Sequence, residues 1–158
     1  MKTQDKFEGE IIGFEPGHIF EDWIEDGIRH LVMRGPAALC AYLGIPKDHP
    51  LAGFGYNDVV VNCHCGLTFA SMGDGERFPE DRYWFGWDYA HSGDCCTYNH
   101  DPKMGYMSCH GEKHWTVKEV KAEMWSAAYD LRKQMNLAEK VAQKAMGWTG
   151  SKLTPRKK

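Results

Sequence analysis

Apolar positions recur along the chain with two different periods. Between residues 117 and 135 they fall at Val117, Val120, Met124, Ala127, Ala128, Leu131 and Met135, the three-and-four spacing of one helix face. Immediately ahead, Thr116-Val117-Lys118-Glu119 has the spacing of a capping box. In that motif the Thr hydroxyl accepts from the Glu amide while the Glu carboxylate reaches back to the Thr amide. The pattern predicts a helix over 117–135 whose Met and Ala stripe faces a core. A shorter helix over 137–146, stopped by Gly147, is expected to follow.

Upstream the apolar runs are short and suit strands. Residues 28–34 and 38–45 flank Gly35-Pro36, which predicts a hairpin. Ala, Leu and Met in these runs also suit a helix, but Gly27, Gly35, Pro36 and Gly44 cut any helix short. Val59-Val60-Val61-Asn62-Cys63-His64-Cys65 is the clearest β-branched run and predicts a strand, with 66–70 continuing it or bending away. Tyr83-Trp84-Phe85-Gly86-Trp87-Asp88-Tyr89 predicts another. A short strand is expected over 10–14 and a short helix over 18–26, stopped by Gly27. Residues 71–81 read as a polar loop and 91–113 as a long irregular segment, a length at which loops are often functional. The sum is an α+β fold, a small antiparallel or mixed sheet packed against a long C-terminal helix. Residues 1–148 form one domain and 149–158 a basic tail.

Composition refines this picture. Hydrophobic residues are 42% and charged residues 26%, which suits a globular chain. Aromatics reach 13%, with six Trp, so a core built from large rings is expected, with some rings left over to line a pocket. No apolar run is long enough to span a bilayer. The polar, acidic start predicts no secretory signal, and hence a cytoplasmic protein with reduced thiols. The net charge is −3, with acids concentrated over 5–26 and Lys152, Arg156, Lys157 and Lys158 at the end. An acidic body argues against duplex DNA as a partner.

The six cysteines, Cys40, Cys63, Cys65, Cys95, Cys96 and Cys109, contain no CxxC pair. A set drawn from Cys63, Cys65, Cys109 and His114 can be imagined, but the spacing is poor for structural zinc, and no metal is expected.

Strand alternation selects the candidate chemistry. On 59–65, Val60, Asn62 and His64 share one face, while Cys63 and Cys65 share the other with Val59 and Val61. On 83–89, Trp84, Gly86 and Asp88 share a face. If the two strands pair in suitable register, His64 and Asp88 meet on a polar face, opposite the cysteines. Asp88-Tyr89-Ala90-His91-Ser92-Gly93-Asp94 then leaves the strand with two carboxylates and an imidazole. Imidazole titrates near neutrality and a carboxylate can fix its tautomer, so these types suit acid–base work. They equally suit divalent metals or hydrogen bonding to a polar ligand. The plainer reading is that Asp88 caps the turn that follows it and that His91 and Asp94 are ordinary loop residues. Phosphate-loop, dinucleotide, HExxH, GxSxG and deaminase motifs are absent from the sequence.

These blocks resemble a group of small bacteriophage and prophage proteins. The resemblance rests on 38–50 (Cys40, Tyr42, Ile45-Pro46, His49-Pro50), on His64-Cys65-Gly66-Leu67-Thr68, and on Trp84-Phe85-Gly86-Trp87-Asp88-Tyr89-Ala90-His91-Ser92-Gly93-Asp94. With Glu119-Val120-Lys121 it spans roughly 28–135 by motif order. The group commonly has Gly where this chain has Cys65, so Cys65 takes no role from it. The resemblance implies a phage accessory protein in the cytoplasm of an infected bacterial host, with Cys40, His49, His64, Asp88, His91 and Asp94 as favoured residues; Trp84 joins the ligand-binding candidates as a stacking surface. The expected function is a binding protein directed against the host, inhibiting a defence protein or sequestering a small nucleotide-like ligand, often as a homo-oligomer. Two alternatives stand beside it: a hydrolase or transferase, metal-assisted or not, built on the His/Asp cluster, and an interaction module without a small-molecule site. The sequence names no cofactor.

Overall fold

The computed structural model describes residues 15–95 and 112–147. Five strands precede one helix: β1 Ile19–Glu25, β2 Ile28–Arg34, β3 Leu39–Pro46, β4 Phe69–Met72, β5 Arg82–Asp88 and α1 Val117–Met146. The strands form a single sheet in the order β1-β2-β3-β5-β4, and every neighbouring pair is antiparallel. The fold is therefore α+β, an antiparallel sheet against one long C-terminal helix. No helix among the described residues is long and apolar enough to cross a membrane.

The hairpin of β2 and β3 forms around Gly35-Pro36 as the pattern predicts, pairing Arg34 with Leu39 and Arg29 with Gly44. The expected helix over 18–26 is instead β1. Asp26 and Gly27 both have positive φ, 51° and 77°, between the paired residues Glu25 and Ile28. A two-residue connection with both central φ positive is the favoured hairpin turn, and Asp-Gly is among its strongest signals. That turn chemistry, together with pairing to β2, overrides the helical spacing of Phe20, Trp23 and Ile24. The strand expected over 10–14 lies outside the described residues.

The two helices expected after 116 are one. The capping box is present at its start, with the Glu119 amide on Thr116 Oγ1 at 3.2 Å and the Thr116 amide on Glu119 Oε1 at 3.1 Å. Gly147, in the left-handed conformation, closes its end. The buried stripe runs Val117, Val120, Met124, Ala127, Leu131, Met135, Glu139, Ala142 without interruption. Glu139 is why the apolar pattern seemed to break: a carboxylate holds a core position.

Both faces of the sheet are covered. On one, Val32, Ala41, Leu43, Phe85 and Trp87 pack with Val120, Met124, Ala127, Leu131 and Met135 of α1. On the other, Leu31, Met33, Cys40, Tyr42 and Trp84 pack with Phe78 from the loop before β5. Alternation along β5 thus sends Tyr83, Phe85 and Trp87 to the helix and Trp84 away from it. Glycines make room for the rings of the second face. A Cβ on Gly44 would sit 2.7 Å from the Trp84 ring, and one on Gly86 2.3 Å from that of Tyr42, each the direct cross-strand partner. Among the described residues Tyr42, Phe78, Tyr83, Trp84, Phe85, Trp87 and Tyr89 are buried, so much of the aromatic excess is core.

The run 59–65 is not a strand of the sheet: residues 60–63 carry no regular secondary structure and 64–65 lie in a turn. It lies along α1. The amides of Val60, Asn62 and His64 donate to Gln134 Oε1 at 3.4 Å, Asp130 Oδ2 at 2.9 Å and Glu123 Oε1 at 3.3 Å. Alternation still operates: Val59 and Val61 are buried while Val60 is 71% exposed. Helix side chains replace the neighbouring strand as hydrogen-bond acceptors.

Candidate functional site

The 59–65 run ends in a tight turn in which the Gly66 amide donates to the Cys63 carbonyl at 2.9 Å. His64 and Cys65 occupy its tip. Cys65 has φ of 57°, a left-handed conformation that an L residue adopts at some cost and that glycine adopts freely. The His64 ring stacks on Tyr89 with centroids 4.9 Å apart and planes 5° from parallel. It leans on Trp115 at the same centroid distance. Tyr89 is fixed from below. Its hydroxyl donates to Glu123 and accepts from Trp87 Nε1, so the carboxylate that holds the His64 amide also anchors the ring beneath the imidazole. Burial and the bond to Glu123 both push the Tyr89 hydroxyl's pKa upward, keeping it neutral.

A second turn comes from the end of β5. The Asp94 amide donates to the His91 carbonyl at 2.8 Å, and Gly93 supplies the positive φ of 94°. Asp94 then accepts from His64 Nε2 at 2.7 Å, Trp115 Nε1 at 2.8 Å and the His91 amide at 2.9 Å, three donors among the described residues. Its side chain is 4% exposed, while that of His64 is 20% exposed. Burial raises the Asp94 carboxyl pKa, but the His91 amide and the His64 and Trp115 donors outweigh it and hold the group below the ordinary carboxylate range. Asp94 is thus an anion at neutral pH. A donor is needed opposite it, so the neutral His64 ring carries its proton on Nε2 and leaves the lone pair on Nδ1.

His91 sits beside this dyad, its ring 5.7 Å from that of His64. Nδ1 of His91 lies 3.5 Å from Asp88 Oδ1 and 3.8 Å from Asp94 Oδ2. Neither contact is a hydrogen bond, and this nitrogen is buried with no hydrogen-bond partner among the described residues. Asp88 caps its own turn through the Ala90 amide at 3.0 Å and accepts from Thr68 Oγ1 at 3.4 Å. One ring nitrogen of His64, one of His91 and the thiol of Cys65 all lie within 4.8 Å of one another.

His64, Asp88, His91 and Asp94 are therefore neighbours, though not through paired strands. The expected His64–Asp88 pairing is not what forms: His64 bonds Asp94, and His91 is the residue next to Asp88. The parity that set the cysteines opposite His64 does not reach the tip. The turn breaks alternation there, and the positive φ of Cys65 brings its thiol to the histidine side. Trp84 and His49 are placed elsewhere. Trp84 is fully buried on the second face with its indole N–H on the Pro79 carbonyl, because its parity directs it into the core. His49 is buried against α1. Its Nε2 meets Glu139 Oε2 at 2.9 Å, its Nδ1 accepts from the Leu51 amide at 3.0 Å, and Arg132 shares the same carboxylate oxygen.

Cys40, Cys63 and Cys65 are free thiols. Burial raises the pKa of Cys40 to about 11 and, with Glu123 nearby, that of Cys63 to about 12, so both stay protonated. Cys95 is disulfide-bonded, which departs from the expectation of reduced thiols throughout; sequence spacing does not tell which cysteines meet. Sequence reasoning missed Trp115 and Glu123 as builders of the site, because each reaches it across the fold, and it missed Tyr89, which adjoins Asp88 in the chain but serves through its ring stacked on His64. Two hollows lie elsewhere. One of about 290 Å³ is lined by Ile28, His30, Trp125 and Tyr129. The other, of about 430 Å³, lies between Leu51, Phe54 and the last turns of α1.

No protein-family model matches the chain, and neither a curated protein nor a solved structure matches it.

Proposed function

We propose that the protein is a hydrolase or transferase whose reacting centre is the cluster of His64, Asp94, His91 and Asp88. The observation that carries this reading is the unequal exposure across the 2.7 Å His64–Asp94 bond. A buried, three-times-bonded carboxylate orients an imidazole whose other nitrogen is left with its lone pair. That is the arrangement by which a carboxylate fixes the tautomer of a general base. In the proposed reaction Nδ1 of His64 takes the proton from an attacking water or hydroxyl, Asp94 stabilises the imidazolium, and His91 supplies a proton to the leaving group with Asp88 beside it. Aligned acid–base groups contribute roughly 10²–10⁴-fold in rate.

The test is turnover of p-nitrophenyl acetate, p-nitrophenyl phosphate and bis-p-nitrophenyl phosphate by the full chain. His64→Asn and Asp94→Asn are expected to reduce the rate by that factor, whereas His18→Asn, at an exposed position just before β1 on the sheet edge away from β5, leaves it unchanged. Equal rates for His64→Asn and the unaltered chain would refute the reading.

The second reading is capture without chemistry, as by a phage-encoded protein that sequesters a nucleotide-like ligand. It is favoured by the Tyr89 and Trp115 rings packed about His64, and its motivation is otherwise the motif resemblance. Incubation with a bacterial nucleotide extract separates the two: capture returns a ligand of unchanged mass after denaturation, catalysis an altered one.

A further inference from the structure

We infer that the tip of the 63–66 turn and the His91 ring form a binding site for a zinc-class transition-metal ion, with His64, Cys65 and His91 as its three protein ligands. The inference rests on the reading of this cluster as the reacting centre, and supplies the Lewis acid for it.

Four observations converge. First, two imidazole nitrogens and one thiol sulfur lie within 4.8 Å of one another. Ligand atoms of one zinc tetrahedron, with Zn–N about 2.0 Å and Zn–S about 2.3 Å, stand roughly 3.3–3.6 Å apart. Small side-chain rotations close the difference, and the exposed Cys65 is free to make them. Second, the His64–Asp94 bond reproduces the outer-shell arrangement of metal-bound histidines, in which the other ring N–H donates to a carboxylate. It leaves Nδ1 of His64 directed away from Asp94 with its lone pair. Third, Nδ1 of His91 is a buried polar atom with no hydrogen-bond partner among the described residues, and such an orphan is destabilising unless something satisfies it. Coordination removes the deficit, through Nδ1 directly or through Nε2 with Nδ1–H turned onto Asp88 at 3.5 Å. Fourth, Cys65 holds a backbone conformation suited to glycine, which brings a thiol to the histidine side of the turn.

The donor set defines the ion. Two imidazoles and a thiolate favour zinc and its neighbours over calcium or magnesium, which take oxygen ligands. Three protein ligands leave a fourth tetrahedral position for water, as in catalytic rather than structural zinc sites. Binding releases the thiol proton of Cys65 to solvent. A zinc-bound water ionises near pH ~7, so an ion held here would take the His64 lone pair and supply the activation of water that the metal-free form of the reading assigns to that nitrogen.

The experiment uses untagged full-length protein stripped with chelator, titrated with Zn²⁺ against a competing chromophoric chelator and with Co²⁺ for spectroscopy. The expected result is one ion per chain, tetrahedral cobalt d–d bands, and a thiolate-to-cobalt charge-transfer band. Cys65→Gly, which relaxes the left-handed backbone while deleting only the ligand, is expected to abolish the charge-transfer band. His64→Asn and His91→Asn should each weaken Zn²⁺ binding at least tenfold, and Asp94→Asn, acting through His64, by ~10–100-fold. Circular dichroism of each variant guards against misfolding. Absence of the charge-transfer band, or equal Zn²⁺ affinity for the unaltered chain and the Cys65→Gly/His91→Asn pair, overturns the inference. Ion binding as described without turnover of any ester upholds the site and removes the hydrolytic reading. Turnover by the stripped protein, unchanged in Cys65→Gly, does the reverse.

Discussion

Asp94 is the residue on which the site's architecture is most directly tested. Three donors converge on it: His64 Nε2 and the His91 amide on Oδ2, Trp115 Nε1 on Oδ1. Asp94→Asn keeps the shape but has one carbonyl oxygen. Placed at the Oδ2 position it retains His64 and His91, and the amide nitrogen then faces the Trp115 N–H, donor against donor. The expected cost is about 1–3 kcal/mol for one lost charged acceptor. Trp115 and His64 are half-buried, so water recovers part of the loss and the lower half of that range applies. Asp94→Ala strips all three donors and should cost about 3 kcal/mol, taking each net bond as about 1 kcal/mol. With a urea slope of about 1–3 kcal/mol per molar, the alanine variant unfolds at least ~1 M earlier. The pH dependence gives a sharper check. The native carboxyl is held below its ordinary value of 3.8, so its contribution is complete above that value and is lost as the pH falls through the depressed native pKa. Asn does not titrate. The stability gap between the unaltered chain and Asp94→Asn should therefore narrow below pH ~4, as the native carboxylate is protonated. A gap that never narrows on acidification, or no gap at neutral pH, would show that these bonds do not stabilise the fold as drawn.

Other outcomes follow from the same reasoning. His49 accepts from the Leu51 amide and donates to Glu139, so it is neutral with its proton on Nε2. Burial depresses its pKa despite the facing carboxylate, so stability is full above the ordinary value of 6.5 and declines as pH falls below it; urea midpoints at pH 7 and 5 should differ less for His49→Gln. His30, also depressed by burial, accounts for part of the remaining slope. Gly44→Ala should cost about 1–3 kcal/mol through overpacking against the Trp84 ring, visible as a lower melting temperature without loss of helical circular dichroism. Thr116→Ala removes the capping box and should cost about 0.5–2 kcal/mol, with faster amide exchange in the first turn of α1. Glu123→Gln, which perturbs the clamp on the His64 amide, should speed exchange at His64 while leaving Leu131 and Met135 amides protected.

What the sequence made legible was local in origin. The capping box, the stripe up to Met135 and the Gly35-Pro36 hairpin each depend on residues within a few positions of one another. β1 was misread because Asp26-Gly27 was weighed as a helix stop, although the same dipeptide is a hairpin turn once β2 is beside it. The end of α1 at Gly147 was legible, but the helix was split at 136 because Glu139 stands in a core position, where His49, distant in the chain, and Arg132, two turns earlier on the helix, help hold the buried carboxylate. For the site, residue types singled out His64, Asp88, His91 and Asp94 as neighbours, but not the reason. Run 59–65 has strand periodicity and no strand partner, and nothing in its own letters says that its acceptors are helix side chains. Cys65 was set on the wrong side because alternation fails at a residue with positive φ. Trp84 and His49 illustrate the converse: aromatic and imidazole side chains that look available are consumed by the core.

The clamp of α1 on the 59–65 run has a consequence for how such a site can diversify. Gln134, Asp130 and Glu123 grip main-chain amides, which every residue but proline possesses. The side chains at 60 and 62 are therefore anonymous to the fold, and the turn beyond them keeps its address through main-chain bonds. The constraint moves to three polar residues of the helix, where inspection of surface-facing positions would not look for it. A saturation library at 60, 62, 123, 130 and 134 should register this as an inversion: broad tolerance at the gripped positions, and intolerance at the helix carboxylates and amide that grip them.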